Sequence, residues 1–133
     1  MKEKTKIQKT LLYVGDEGEV SLDVIVDPER ETFWATQKTM ADLFGVDRSV
    51  ITKHLKNIYV VGELIKSSTC AKIAHVQNEG NRNVKRKTTF YNLDVIISVG
   101  YRVNSKNATR FRIWATQQLK ELIIKGFVLD DSS

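Results

Sequence analysis

The segment of residues 36–58 constrains the fold most, because its spacing predicts two short helices joined by a tight turn. Each helix has one apolar stripe whose members are three or four residues apart. The first stripe consists of Met40, Leu43 and Phe44, and the second of Ile51, Leu55 and Ile58. Gly45 lies between the stripes, where the end of a helix favours a residue that tolerates a positive φ. Asp47 is the predicted N-cap of the second helix, because its carboxylate can accept hydrogen bonds from free backbone N–H groups.

The outer face of the second helix is rich in hydrogen-bond donors. Its members are Arg48, Ser49, Thr52, Lys53, Lys56 and Asn57, with no acidic residue among them. Side chains of these types contact phosphates and base edges in DNA. With the small residue Ala41 at the expected crossing, the spacing is typical of a DNA-binding helix-turn-helix. The alternative interpretation is a pair of core helices with a solvated outer face.

His54 is the exception in this pattern, because such motifs usually have an aliphatic residue at its position. Either His54 packs inside the molecule as a neutral side chain, or Leu55 takes over the packing.

Positive charge is concentrated on this motif and on the segment after it. The chain has a net charge of +5 and a pI near 9.4. Residues 1–34 have a net charge of −3, residues 35–92 of +6 and residues 93–133 of +2. A basic patch centred on the second helix suits a polyanion, since phosphate neutralisation supplies most of the affinity for DNA. Lysine spread over an ordinary surface is the alternative, and it does not account for the clustering.

Length and composition predict one cytoplasmic domain without disulfides, metals or cofactors. The 133 residues are enough for a core. The single cysteine cannot form an internal disulfide, and with two distant histidines it does not suit a metal cluster. We expect no membrane association, because no apolar run reaches the length of a membrane span and the N-terminus is charged. We expect no enzymatic activity, because paired carboxylates, a phosphate loop and a nucleophile beside a base are all missing from the sequence.

The first 35 residues predict a disordered tail, at 1–6, followed by a small antiparallel sheet. A β-prone run at 7–14 and a turn at 15–18 precede an alternating strand, whose polar side is interrupted by Ile25. Phe33 and Trp34 are predicted core aromatics of a third short strand, with base stacking as the alternative. The acidic character of this sheet predicts that it faces away from DNA.

Residues 70–91 predict a β-hairpin with its turn at 78–81. Lys85, Arg86 and Lys87 give this hairpin a basic arm. A hairpin directly after a recognition helix is the layout of a winged helix-turn-helix, in which the wing contacts the adjacent DNA backbone or minor groove. The alternative is an edge hairpin that its lysines protect from aggregation.

Residues 92–126 predict a pair of helices, the first with Asn92 as its N-cap and the second ending at Gly126. Ile113 and Ile124 lie off the main apolar stripe of the second helix, and an apolar tail follows at 127–129. These residues predict a second apolar surface that packs on a second copy of the chain or on a downstream domain.

With these residues in view, the chain resembles the virulence RhuM family of bacterial proteins over nearly its whole length. The runs that carry the resemblance are FWATQKTMADLFGVDRSVITKHLKNI at 33–58, GEL at 62–64, FYNLDVIISVGYRVNS at 90–105 and RFRIWATQQLKELIIKGFVLDD at 110–131. The resemblance implies a bacterial or mobile-element origin and a DNA-binding role. Family members usually continue past the equivalent of Asp131, which implies an N-terminal domain or a naturally short relative. The paired helices also resemble the N-terminal domains of Bro-type phage antirepressors.

The sequence thus predicts an α+β winged helix-turn-helix domain over residues 1–133, with a small N-terminal antiparallel sheet, a β-hairpin wing and a C-terminal helical pair. The predicted partner is double-stranded DNA, with the second helix in its major groove and a homodimer formed through the C-terminal helix. Arg48, Ser49 and Thr52 are predicted to reach base edges; Lys53, Lys56 and Asn57 to bind phosphates; and Lys85, Arg86 and Lys87 to lie on the flank. The alternative is an antirepressor-like module that binds another regulator without contacting DNA.

Overall fold

A computed structural model describes residues 6–15 and 18–132 of the chain, with side chains of the last helix described as far as Ile124. The predicted tail at 1–6 lies outside the described residues except for Lys6. Within the described residues the chain forms five strands and five helices, which confirms the α+β class. They are β1 (Ile7–Gly15), β2 (Gly18–Asp27), β3 (Thr32–Ala35), α1 (Gln37–Phe44), α2 (Arg48–Val60), α3 (Lys66–Thr69), β4 (Cys70–Glu79), β5 (Arg82–Asn92), α4 (Leu93–Val103) and α5 (Ser105–Ser132).

The five strands form one antiparallel sheet in the order β1-β2-β3-β5-β4. Two long hairpins, β1–β2 and β4–β5, are joined by the short strand β3 between them. The joint between β3 and β5 consists of two residue pairs, Trp34 with Asn92 and Ala35 with Tyr91. The hairpin predicted as a separate wing is therefore continuous with the N-terminal strands, because β3 pairs along both of its edges.

The main core lies between one face of this sheet and the helices. Leu11 lies opposite Leu22 on this face, as the alternation of β1 and β2 requires. The helices contribute Met40, Ile51, Ile58, Val95, Ile96, Val99, Phe111 and Ala115. Each large side chain buried in this way contributes about 1.5–3 kcal/mol relative to an exposed position. We call this face of the sheet the helix side.

A smaller apolar cluster lies on the opposite face, where Ile25, Trp34 and Phe90 are buried together. The sheet curls around it, so that its two edge strands approach each other. The carboxamide of Gln8 on β1 donates to the backbone oxygen of Val76 on β4 over 3.3 Å and accepts from the Val76 N–H over 3.1 Å. The cluster explains Ile25, which interrupts the polar side of its strand.

Asp27 is the polar side chain that closes this cluster, and it is only 1% exposed. Its Oδ2 accepts a hydrogen bond from Nε1 of Trp34 over 3.1 Å and pairs with the Arg30 guanidinium at 3.5 Å. Its Oδ1 accepts from the Arg30 N–H over 3.3 Å, which fixes the turn after β2.

The C-terminal helical pair begins where the sequence predicts, but its last helix ends later than predicted. Asn92 is the N-cap of α4, and its Oδ1 accepts from the Val95 N–H over 3.3 Å, which confirms the predicted cap. The predicted stop of the last helix at Gly126 is wrong, since α5 continues to Ser132. A single glycine costs a helix about 1 kcal/mol relative to alanine, which is too little to end one. The side chains of the apolar tail at 127–129 lie outside the described residues.

Candidate nucleic-acid interface

Helices α1 and α2 lie where the sequence places them and are joined by a three-residue turn, 45–47. The side chain of Thr36 caps the start of α1 and accepts from the Thr39 N–H over 3.2 Å. Gly45 has a φ of 66° and its N–H donates to the Ala41 oxygen, which confirms the predicted helix end. Asp47 occupies the N-cap of α2, but its carboxylate accepts no hydrogen bond from the described N–H groups at the start of that helix.

The apolar stripe of α2, formed by Ile51, Leu55 and Ile58, is buried in the core. All six side chains predicted to contact DNA are exposed on the other side of the helix: Arg48, Ser49, Thr52, Lys53, Lys56 and Asn57. Since residues four apart are neighbours on a helix, the six form two adjacent rows on one face. Three of them are cations, and the 13-residue helix that carries them is about 20 Å long. We call this surface the α2 face.

His54 lies between the α2 face and the core. Leu55 takes over the packing at this turn of the helix, as one of the two alternatives anticipated. Nδ1 of His54 is buried and has no hydrogen-bond partner among the described residues. Burial lowers the pKa of His54, and the positive charges of Arg102 and Lys53 lower it further. The neutral form of this histidine is therefore the favoured one.

A chain of hydrogen bonds connects the α2 face to the sheet. The hydroxyl of Thr52 lies 3.1 Å from Oε1 of Gln37, and Nε2 of Gln37 donates to the hydroxyl oxygen of Tyr91 over 3.3 Å. Thr52 Oγ1 also lies 3.0 Å from the backbone oxygen of Arg48, so its single proton has two acceptors within reach. Sequence analysis missed Gln37 and Tyr91, because their contact spans 54 residues and joins a helix to a strand.

The basic arm of the β4–β5 hairpin is divided between two faces. Lys85 and Lys87 lie opposite Val76 and Ala74, whereas Arg86 lies opposite His75. Since side chains alternate along a strand, Lys85 and Lys87 share the helix side with Tyr91, and Arg86 points to the other side. The prediction grouped these three residues, and the strand register separates them.

Arg86 is also held by an ion pair within the hairpin. Its Nε and Nη2 donate to the two carboxylate oxygens of Glu79, each over 2.7 Å. The hydrogen bonds lower the pKa of Glu79 and raise the pKa of Arg86. A phosphate would have to compete with this bidentate partner.

The connection after α2 is fastened to α4 by Glu63. Its carboxylate accepts hydrogen bonds from the Ser98 hydroxyl and, over 2.9 Å, from Nη2 of Arg102. The bond from Ser98 and then that from Arg102 lower the pKa of Glu63. This contact holds the C-terminal end of α2 against the helical pair.

Ile113 and Ile124 form a separate exposed apolar feature on α5, at 58% and 59% exposure. They are eleven residues apart, which is close to three helical turns, and therefore lie on one side of the helix. The second apolar surface predicted from the sequence is present to this extent.

The part of the chain that the structure describes offers neither a metal cluster nor a membrane-spanning helix. No three His, Cys, Asp or Glu side chains there lie together in a way that could hold a metal ion. None of the described helices combines the length and the apolar character that crossing a membrane requires. Cys70 is a free, half-buried thiol at the start of β4, and burial raises its pKa.

The C-terminal half of the chain matches a known protein family. Residues 68–133 match the family model described as Virulence protein RhuM family, which confirms the family resemblance over that segment. The matched segment covers the β4–β5 hairpin and the helices α4 and α5, and it begins after α2. No curated protein and no solved structure matches the chain. The likeness to Bro-type antirepressor domains stays a prediction.

Proposed function

We propose, since the chain belongs to the Virulence protein RhuM family, that it is a bacterial or mobile-element regulatory protein that binds double-stranded DNA. In this proposal α1 and α2 form a helix-turn-helix, α2 enters the major groove, and the β4–β5 hairpin is its wing. The observation that carries the proposal is the α2 face, where six donor side chains are exposed on a helix that has no acidic residue between Arg48 and Val60 and is anchored by its buried stripe.

The N-terminal and C-terminal halves of the α2 face suit different parts of a duplex. Lys53 and Lys56 are exposed cations that neutralise phosphates, and such contacts supply most of the salt-dependent affinity. Arg48 lies at the first turn of α2, where recognition helices contact base edges, and a guanidinium pairs with O6 and N7 of guanine. Ser49 and Asn57 add neutral donors and acceptors, while the Thr52 hydroxyl lies 3.1 Å from Oε1 of Gln37 and links this face to α1.

The test is fluorescence anisotropy with random-sequence and genomic-fragment duplexes at two salt concentrations. Wild type is compared with Lys53→Glu/Lys56→Glu, and the fold is checked by circular dichroism. The matched control is Lys106→Glu/Lys120→Glu, which makes the same charge change at exposed positions of α5. We expect salt-sensitive binding that only the α2 variant loses. Binding that is absent at low salt, or equal in both variants, would remove DNA recognition from α2.

A protein–protein interaction module is the second candidate, and the exposed Ile113 and Ile124 favour it. In that case the chain binds another regulator, or a second copy of itself, through α5 and does not need the α2 face. Ile113→Lys/Ile124→Lys would then abolish function while Lys53→Glu/Lys56→Glu leaves it intact. Light scattering after size-exclusion chromatography measures whether the first variant changes a dimer into a monomer.

A further inference from the structure

The distal part of the β4–β5 hairpin has one face that the rest of the fold does not use. Its members pair as Lys72 with Thr89, Ala74 with Lys87, Val76 with Lys85 and Asn78 with Asn83. They lie on the helix side of the sheet, beyond the helices, and seven of the eight are exposed while Thr89 is half-buried. We call this surface the lysine face, since it has three lysines and no acidic residue.

Several side chains on the opposite face of the same hairpin form contacts within the hairpin. His75 lies 2.7 Å from the Thr88 hydroxyl and packs edge-on against the ring of Phe90 at 5.1 Å. Arg86 is bound to Glu79 by two hydrogen bonds. Arg86 is thus engaged within the hairpin, whereas the three lysines of the lysine face are exposed.

The lysine face is connected to the α2 face through Tyr91 and Gln37. Tyr91 follows Thr89 by two residues on the helix side of β5, and Gln37 links its hydroxyl to Thr52 on α2. At 3.4 Å per residue, Lys87 lies about 14 Å along β5 from Tyr91 and Lys85 about 20 Å. A duplex seated on α2 and extending in this direction therefore meets lysine side chains on the hairpin.

We propose that the lysine face binds the phosphate backbone of the same DNA duplex, beside the groove that α2 enters. The inference rests on the proposed function and assigns the hairpin contact to Lys72, Lys85 and Lys87, without Arg86. Ammonium groups bind phosphates as point charges, so this contact adds affinity and salt dependence without reading sequence. Asn78 and Asn83 extend the donor row toward the hairpin tip.

The experiment compares two variants of one strand that each lose two charges. Lys85→Gln/Lys87→Gln lies on the lysine face, and Arg82→Gln/Arg86→Gln lies on the other face of β5. Glutamine keeps the edge polar, so the fold is retained, and circular dichroism verifies this. The dependence of log K on log salt is measured by anisotropy with random-sequence duplexes. We expect the slope to fall by about two units in the first variant, at about 0.9 per lost phosphate contact, and to stay unchanged in the second.

Adding Lys72→Gln to the first variant is expected to lower the slope by about one more unit, while Lys85→Arg/Lys87→Arg retains it. An unchanged slope in the lysine variants, with binding lost in Lys53→Glu/Lys56→Glu, overturns the lysine face and leaves the proposed role of α2 standing. Equal falls of the slope in both hairpin variants overturn the lysine face as well, since they would reflect the net charge of the hairpin and not one of its faces. If the slope falls in the lysine variants while Lys53→Glu/Lys56→Glu binds DNA normally, the proposed function is overturned instead.

Discussion

The hydroxyl of Thr52 and Oε1 of Gln37 lie 3.1 Å apart, and this hydrogen bond joins the exposed face of α2 to the first residue of α1. The other end of the Gln37 carboxamide donates to Tyr91 on β5. The position of α2 is thereby fixed at a specific point of the sheet, in addition to the packing of its buried stripe in the core. A binding helix needs supporting polar contacts to hold it in one position. In the candidate interface, the hydrogen bonds of Gln37 are contacts of this kind.

Gln37→Leu is expected to relax the sequence preference of DNA binding more than it reduces affinity for random duplexes. The reason is that the variant loses the bonds to Thr52 and Tyr91 but none of the exposed cations. The cost in stability is about 0.5–1.5 kcal/mol for each bond lost. Competition anisotropy with a selected duplex and a random one measures the ratio of the two affinities. Tyr91→Phe removes half of the connection and should give a smaller effect; an unchanged ratio in both would deny Gln37 a positioning role.

Arg48→Ala is expected to weaken binding to the preferred sequence by about 1–3 kcal/mol if its guanidinium pairs with a guanine. Binding to random duplexes should weaken only by the loss of one cation. Selection of bound sequences with wild type and variant measures which base position loses its preference. A loss of the same size on every duplex would show that Arg48 contacts phosphate.

In mild acid, the His54→Leu variant is expected to lose less of its folding stability than wild type does. The folded state holds the pKa of His54 below its ordinary value of 6.5, chiefly through burial. The stability that follows from this is fully present above pH 6.5 and is lost as the pH falls through the lowered pKa. Urea unfolding at pH 7.5 and at lower pH measures the difference. Equal pH dependence in variant and wild type would exclude His54 as its source.

Glu63→Gln is expected to flatten the acid limb of the stability curve. The bonds from Ser98 and Arg102 hold the pKa of Glu63 below its ordinary value of 4.5. The corresponding stabilisation is present above pH 4.5 and disappears as the pH falls through the lowered pKa. Acid titration followed by circular dichroism is the measurement, with Glu121→Gln on α5 as the exposed control. Identical acid limbs in wild type and Glu63→Gln would contradict the prediction.

Asp27→Ala is expected to destabilise the fold by about 1–3 kcal/mol, because it leaves the buried indole N–H of Trp34 without its acceptor. Urea unfolding followed by tryptophan fluorescence measures the loss. Asp23→Ala is the matched control on the same strand, since Asp23 is exposed and the described contact of its carboxylate is with the exposed Thr10. DNA binding by the folded Asp27 variant should equal that of wild type.

Local features of this fold were predictable because their causes are local. The stripe of α2, the glycine that ends α1 and the cap at Asn92 follow from spacing and from the conformations these residues tolerate. The six exposed residues of the α2 face follow from the same stripe. Strand alternation also separates Lys85 and Lys87 from Arg86, although that signal was not used in the sequence prediction.

Other features depend on contacts that no short segment encodes. The pairing of β3 with β5 brings together positions 35 and 91, and the Gln8 bond to Val76 joins positions 68 residues apart. The connection through Gln37 has the same character, as does the engagement of Arg86 by Glu79. These contacts decide which predicted site residues are free to bind a ligand and which are already occupied.

The joint between β3 and β5 sets an order of events during folding. The hairpins β1–β2 and β4–β5 close short loops, and hairpins of this kind form in about 1–10 μs. The two residue pairs of the joint close a much longer loop, which contains α1, α2 and α3. Loops of this length form late, because their closure entropy must be met before the contacts form. Helix α2 therefore reaches its final place in one of the last steps, and native-state hydrogen exchange should find the joint opening before either hairpin.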